Sequence, residues 1–130
     1  MRVLQENKGD LVVLAGYMLL VGSAFVNAYR YRIMNIHPAL LPSFPGTSGV
    51  ADALAYGAKV AGVTVHFVDE GLDTGPIILQ TAVPVQEGDT LESLYPRIHE
   101  VEYELYPEAI RCFCEGRLRI EARRVRIAEE

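Results

Sequence analysis

An amide, an imidazole and a carboxylate stand at the ends of apolar, strand-like runs in this chain. Asn35 and His37 lie in Ile33-Met34-Asn35-Ile36-His37-Pro38-Ala39-Leu40-Leu41-Pro42. Asp73 lies in Val65-His66-Phe67-Val68-Asp69-Glu70-Gly71-Leu72-Asp73-Thr74-Gly75-Pro76. In a parallel α/β sheet, strand ends are where side chains leave the core and meet a ligand crevice. An Asn amide hydrogen-bonds a carbonyl, and a His carries a proton near neutral pH. An Asp holds that His charged or positions a water. Together the three suit attack on a carbonyl, where an oxyanion must be stabilised and an amine must lose a proton.

Other readings of the same residues are blander. His66 alternates with Val65 and Phe67, which suits a packed or hydrogen-bonded strand histidine. Asp69 and Glu70 read equally well as solvated turn residues. His37, His66 and Asp73 include metal-ligand types, but no close pair such as H-x-x-x-H accompanies them, so no metal is expected.

The elements that must position these groups alternate between α and β. Residues 1–7 read as the last turns of a helix closed by Lys8-Gly9. Leu11-Val12-Val13-Leu14-Ala15 is apolar throughout, as in a parallel strand covered on both faces. Ser23 can cap a short helix through Tyr29. Residues 32–36 form the next strand, leading into a proline-rich loop over 38–46. Residues 50–56 read as a helix stopped at Gly57. Residues 62–68 and 77–83 are β-rich and the turn between them allows a hairpin. From Leu91, apolar residues recur at helical spacing to Phe113, with a kink or break expected near Pro96 and Pro107. Gly116 ends that helix.

Composition bounds the possibilities. The chain has 130 residues, enough for one domain with a sizeable core, and it is 50% hydrophobic and 22% charged. A net charge of −5 argues against non-specific nucleic-acid binding. Arg117, Arg119, Arg123, Arg124 and Arg126 cluster near the end of the chain, but no aromatic residue interleaves with them to stack bases. They read as a solvated tail or edge strand. Cys112 and Cys114, the only cysteines, point in different directions on a helix and read as free thiols of a reducing cytoplasm. Residues 1–8 lack the apolar core of a secretory signal, and residues 11–25 are too short and interrupted to span a bilayer. No membrane partner is expected.

The motifs in their order and spacing resemble the phosphoribosylglycinamide formyltransferase family. The resemblance rests on Asn35-Ile36-His37-Pro38-Ala39-Leu40-Leu41-Pro42, Pro45-Gly46, Thr64-Val65-His66-Phe67-Val68, Leu72-Asp73-Thr74-Gly75-Pro76-Ile77-Ile78 and Leu105-Tyr106-Pro107. It runs from about residue 10 to 118. It implies transfer of a formyl group from 10-formyltetrahydrofolate, a co-substrate, to the amine of glycinamide ribonucleotide in purine synthesis. It also implies an incomplete Rossmann-like α/β fold: a mostly parallel sheet, a C-terminal hairpin and a long helix. By the same resemblance, Asn35 binds the formyl oxygen as it becomes an oxyanion. His37 donates a proton, and Asp73 keeps His37 charged and helps a water relay the amine's proton. The folate would lie against Met18, Leu19, Leu20 and Val21, Asn35, and the loop of Asp69, Glu70, Gly71, Leu72 and Asp73. His99, Glu100, Val101 and Glu102 match the stretch that contacts the ribonucleotide.

The departures are equally specific. Thr47-Ser48-Gly49 stands where the family usually shows a hydrogen-bonding residue such as histidine. Leu19 replaces an arginine common in the folate loop, and Tyr103 stands where a histidine usually follows Glu102. No counterpart of the family's opening βαβ portion with its phosphate-holding Gly loop is recognisable, so the chain is expected to start inside a helix, mid-domain. An exposed sheet edge at residues 11–15 would then favour self-association as a homo-oligomer. The alternatives are a formyltetrahydrofolate hydrolase and an inactive folate-binding fragment. Pro38 after His37 favours the transferase, because the hydrolase pattern usually has a second His there.

Overall fold

Seven strands and two helices occur among the described residues of the computed structural model, which are 2–6, 9–13, 31–46, 48–69 and 74–129. In chain order they are β1 (Arg2–Glu6), β2 (Gly9–Val13), β3 (Ile33–His37), α1 (Gly49–Tyr56), β4 (Val60–Phe67), β5 (Ile77–Pro84), α2 (Leu91–Cys114), β6 (Leu118–Glu121) and β7 (Arg124–Ile127). The strands form one sheet in the order β1-β2-β3-β4-β5-β7-β6. The expected strand over residues 32–36, the helix over 50–56, the β4–β5 hairpin and the long helix are all present.

The sheet is mixed rather than mostly parallel. Only β2/β3 and β5/β7 pair parallel, while β1/β2, β3/β4, β4/β5 and β6/β7 are antiparallel. A parallel partner needs a crossover of a dozen or more residues. The links between β1 and β2, β4 and β5, and β6 and β7 are too short for one, so each returns as a hairpin.

The opening residues differ from expectation as well. Residues 2–6 form a strand, not helical turns, in register from Arg2↔Val13 to Glu6↔Gly9. The outer backbone groups of β2 need partners, and the segment just before it supplies them. Consequently the edge at residues 11–13, expected to lie open, is occupied by β1. Residues 14–15 and the helix expected over 23–29 lie outside the described residues.

One face of the sheet packs against α2. Met34, Ile36, Val63, Val65 and Phe67 join Leu94, Ile98 and Ala109 of the helix in one buried cluster. Tyr106 fixes the helix to β3 by donating its hydroxyl to the Met34 carbonyl at 3.0 Å. A capping box starts α2: Ser93 N–H donates to Thr90 Oγ1 and Thr90 N–H to Ser93 Oγ. The Arg97 guanidinium donates from its two terminal nitrogens to the two oxygens of Asp89, holding that carboxyl well below the usual carboxylate range. It also donates to the Pro84 carbonyl, tying β5 to the helix start.

No break occurs at Pro96 or Pro107; α2 runs unbroken for 24 residues. Each proline removes one backbone bond to the carbonyl four residues earlier, at Glu92 and Tyr103. All four residues are exposed, so water can take the place of the missing donors.

Val50 and Ala53 of α1 are buried, Val50 in the same cluster as Leu94 and Ile98 of α2, and Gly57 closes α1 with φ +83°. Of the two readings of the arginine-rich segment, tail or edge strand, the second is nearer: it forms the β6–β7 hairpin, with β6 at the sheet edge. Arg119 and Arg124 are exposed, and Arg126 pairs with Glu121 at 2.6 Å. Cys112 is buried and Cys114 exposed, both unbridged, and burial pushes the Cys112 thiol up. No helix among the described residues is long and apolar enough to cross a membrane.

Candidate functional site

Antiparallel pairing sorts β3 and β4 into two chemically different faces. Met34 opposes Phe67 and Ile36 opposes Val65, and these four belong to the apolar core. Asn35 opposes His66 and His37 opposes Thr64. Directly opposed side chains project to the same face, so these four polar residues share the other one. Asn35 and His66 are each 2% exposed, and His37 and Thr64 are completely buried. These four are the buried polar residues among the described ones. Burying polar groups is costly without partners; a sheet that concentrates four of them has committed that face to hydrogen bonding.

Asn35 and His37 are two positions apart on one strand, so their Cα atoms are about 6–7 Å apart. An amide and an imidazole at that spacing can address one small group together. His37 is the last residue of β3, the strand-end position expected from sequence. Beyond it the loop over 38–46 folds back on the same face. The His37 Nε2 lies 2.8 Å from the Phe44 carbonyl oxygen. Because that oxygen can only accept, the imidazole nitrogen donates.

Thr64 anchors the first part of this loop. Its hydroxyl donates to the Ala39 carbonyl at 2.6 Å and accepts from Leu41 N–H at 3.1 Å. Gln80 of β5, which opposes Thr64, donates its side-chain amide to Thr64 Oγ1 and to the Leu41 carbonyl at 2.8 Å. The Leu41–Pro42 peptide is cis. Thr64→Val keeps the shape but leaves the Leu41 N–H buried without this acceptor. A loss of about 1–3 kcal/mol is expected, read from the midpoint of urea unfolding. An unchanged midpoint would mean that the network does not hold the loop.

Asp73, Glu70, Gly71 and Leu72 lie outside the described residues, as do Met18, Leu19, Leu20 and Val21. The residues on either side of 70–73 are held by hydrogen bonds. Thr74 donates its hydroxyl to Asp69 Oδ1 at 2.6 Å, and Phe67 N–H donates to the Pro76 carbonyl at 2.9 Å. Arg123, from the β6–β7 turn, donates to the Thr74 carbonyl. Asp69 and Thr74, which stand on either side of residues 70–73, are thus joined side chain to side chain.

His99, Glu100, Val101 and Glu102 sit midway along α2. His99 Nδ1 meets Glu102 Oε1 at 2.7 Å, and its ring stacks between Tyr95 and Tyr103, with centroids 5.4 and 6.5 Å away. Glu100 is exposed, whereas Val101 packs against the core. The departure at Tyr103 thus places a second aromatic ring beside His99. His66 is the packed strand histidine expected, with Nδ1 3.0 Å from the Phe67 carbonyl oxygen. Among the described residues no cluster of His, Cys, Asp and Glu could hold a metal ion.

Thr64, Gln80 and the Phe44 carbonyl were not singled out from sequence. For Thr64 a signal existed: polar residues at 64 and 66 alternate with Val63, Val65 and Phe67, the period of a strand with one polar face. Nothing local marks Gln80 or a main-chain carbonyl.

Comparison with known proteins adds the last line of evidence. The pattern of the formyl transferase family matches residues 1–110. The phosphoribosylglycinamide formyltransferase of Bacillus subtilis is 52% identical over 108 residues, 83% of this chain and 55% of that protein. The crystal structure of glycinamide ribonucleotide transformylase 1 from Symbiobacterium toebii superposes with a TM-score of 0.88 at 61% identity, covering 92% of this chain and 56% of that one. A formyltetrahydrofolate deformylase from Pseudomonas syringae superposes with a TM-score of 0.85 at 33% identity, covering 92% of this chain and 40% of that one. The chain thus spans about half the length of the transferases that it matches.

Proposed function

This chain belongs to the formyl transferase family, and we propose that it moves a formyl group from 10-formyltetrahydrofolate to the amine of glycinamide ribonucleotide, a step of purine biosynthesis. The observation that carries this reading is the buried polar face on which Asn35 and His37 stand side by side at the end of β3. Attack of an amine on the formyl carbon turns its oxygen into an oxyanion. The Asn35 amide N–H would bind that oxygen and His37 would give it a proton, in a setting where buried donors act more strongly than in water. Asp73, directly before the braced Thr74, would hold His37 charged and position a water to carry off the amine's proton.

In this reading the folate lies between residues 18–21 and the 69–73 loop, touching main chain at both. The ribonucleotide lies against His99, Glu100, Val101 and Glu102, where His99 and Glu102 form an ion-pairing couple when the imidazole is protonated. Both substrates are small molecules, no resident metal or cofactor is required, and the setting is cytoplasmic. Self-association would use the sheet edges at β1 and β6.

The deformylase relative supports a second reading, transfer of the formyl group to water. Pro38 and the higher identity to the transferases favour the amine. The test incubates purified protein with 10-formyltetrahydrofolate labelled in the formyl carbon, with and without glycinamide ribonucleotide. Label appearing in the ribonucleotide supports the transferase. Label released as formate at the same rate in both supports the hydrolase, and label remaining on folate in both defeats each reading.

A further inference from the structure

His37 is buried, and one of its two nitrogens is already committed. Nε2 lies 2.8 Å from the carbonyl oxygen of Phe44, seven residues on, in a loop that must turn back sharply to bring that oxygen over β3. The turn has a visible backbone cause. Phe44 has φ +51°, the left-handed region that a residue with a Cβ enters only at a cost. Its ring is held edge-on against Tyr56 of α1, with centroids 5.8 Å apart and planes at 67°. An unfavourable backbone conformation that persists at a candidate site is over-determined by its surroundings and points to use.

We propose that Phe44 is a positioning residue for His37: its left-handed backbone aims the carbonyl that keeps Nε2 protonated, so that every proton the imidazole exchanges passes through Nδ1. This rests on the reading of His37 as the proton-handling group of the same site. A carbonyl oxygen has no hydrogen to give, so Nε2 must carry one in both charge states of the ring. The neutral ring is then the Nε2–H tautomer with a basic Nδ1. The charged ring carries its second proton on Nδ1, and delivering that proton to an oxyanion yields a hydroxyl and the same neutral tautomer. The ring does not have to turn or exchange tautomers during the transfer.

The structure supplies an internal reference. His66, diagonal to His37 on the same buried face, has its Nδ1 3.0 Å from the Phe67 carbonyl oxygen. By the same argument its Nδ1 is the protonated nitrogen, so two neighbouring histidines should show opposite tautomers.

The experiment is nitrogen NMR of the histidine rings in the full chain at a pH where both rings are neutral. His66→Gln and His99→Gln variants assign the signals. The expected result is a protonated Nε2 with an unprotonated Nδ1 for His37, and the reverse for His66. Two variants then isolate the backbone. Phe44→Gly accepts a positive φ freely, whereas Phe44→Val disfavours it strongly; both remove the ring contact with Tyr56. The glycine variant should keep the His37 tautomer and the valine variant should lose it. Protonated Nδ1 at His37 in the parent protein would overturn the proposal. So would an unchanged tautomer in Phe44→Val, or its loss in both variants. If Phe44→Val does not fold, the parent and glycine spectra still decide. The measurement needs no turnover, so its failure is separate from failure of the formyl-transfer assay.

Discussion

Replacing His37 by alanine is expected to slow formyl transfer by roughly 30- to 1,000-fold, a loss of about 2–4 kcal/mol of transition-state stabilisation. The reason is the placement of the ring. His37 is fully buried at the end of β3, two residues from Asn35 on the same face. A donor held there faces little competing water, so its interaction with a developing negative charge is strong. Binding of the folate should change far less, because the ground-state formyl oxygen carries little charge. The comparison is therefore single-turnover transfer rate against folate affinity in the parent and the variant, with circular dichroism confirming that both fold alike. A near-native rate in the variant would remove His37 from the chemistry.

Gly75→Ala is expected to be the most damaging single methyl group near the candidate site. A Cβ at residue 75 would stand 1.7 Å from the Phe67 carbonyl oxygen and 2.7 Å from its carbon. Both are main-chain atoms of β4, so no side chain can rotate away. The strand ends must separate, which also strains the bond from Phe67 N–H to the Pro76 carbonyl. The cost should reach about 3 kcal/mol, the upper part of the usual overpacking range. For a chain of this size that lowers the melting temperature by roughly 10–15 °C. Asp73 stands two residues away, so folate affinity should fall with it. An unchanged melting temperature would show that the approach of β4 to residue 75 is not required.

Gly62 makes a useful contrast. A Cβ there would stand 2.4 Å from Leu40 Cδ2, the tip of a flexible side chain, although the Thr81 carbonyl is also close at 2.7 Å. The difference between the two glycines could not be read from sequence. Gly75 sits in a recognisable turn, but the atom that it must admit belongs to a residue eight positions earlier.

Local pattern determined much of this protein. Helical spacing and Gly57 defined α1, and the β-rich runs on either side of residues 69–76 defined the β4–β5 hairpin. The long apolar period from Leu91 defined α2, and the type and spacing of Asn35 and His37 marked a candidate site at the end of a strand. These are properties of neighbouring residues, because periodicity, capping and turn chemistry act over a few positions. The opening segment went the other way. Its strand exists because the β2 backbone needed partners, a demand that residues 2–6 do not express by themselves.

The tertiary structure alone decided which groups meet across the sheet. Only the β3–β4 register sets Asn35 opposite His66 and His37 opposite Thr64, and a slip of β4 by one residue would have turned Thr64 and His66 into the apolar core, away from Asn35 and His37. Only the folded loop brings the Thr64 hydroxyl to Ala39 and Leu41, or the Phe44 carbonyl to the His37 ring. Residue types along the chain name what chemistry is available. Which nitrogen of a histidine carries the proton depends on an acceptor that folding delivers from elsewhere.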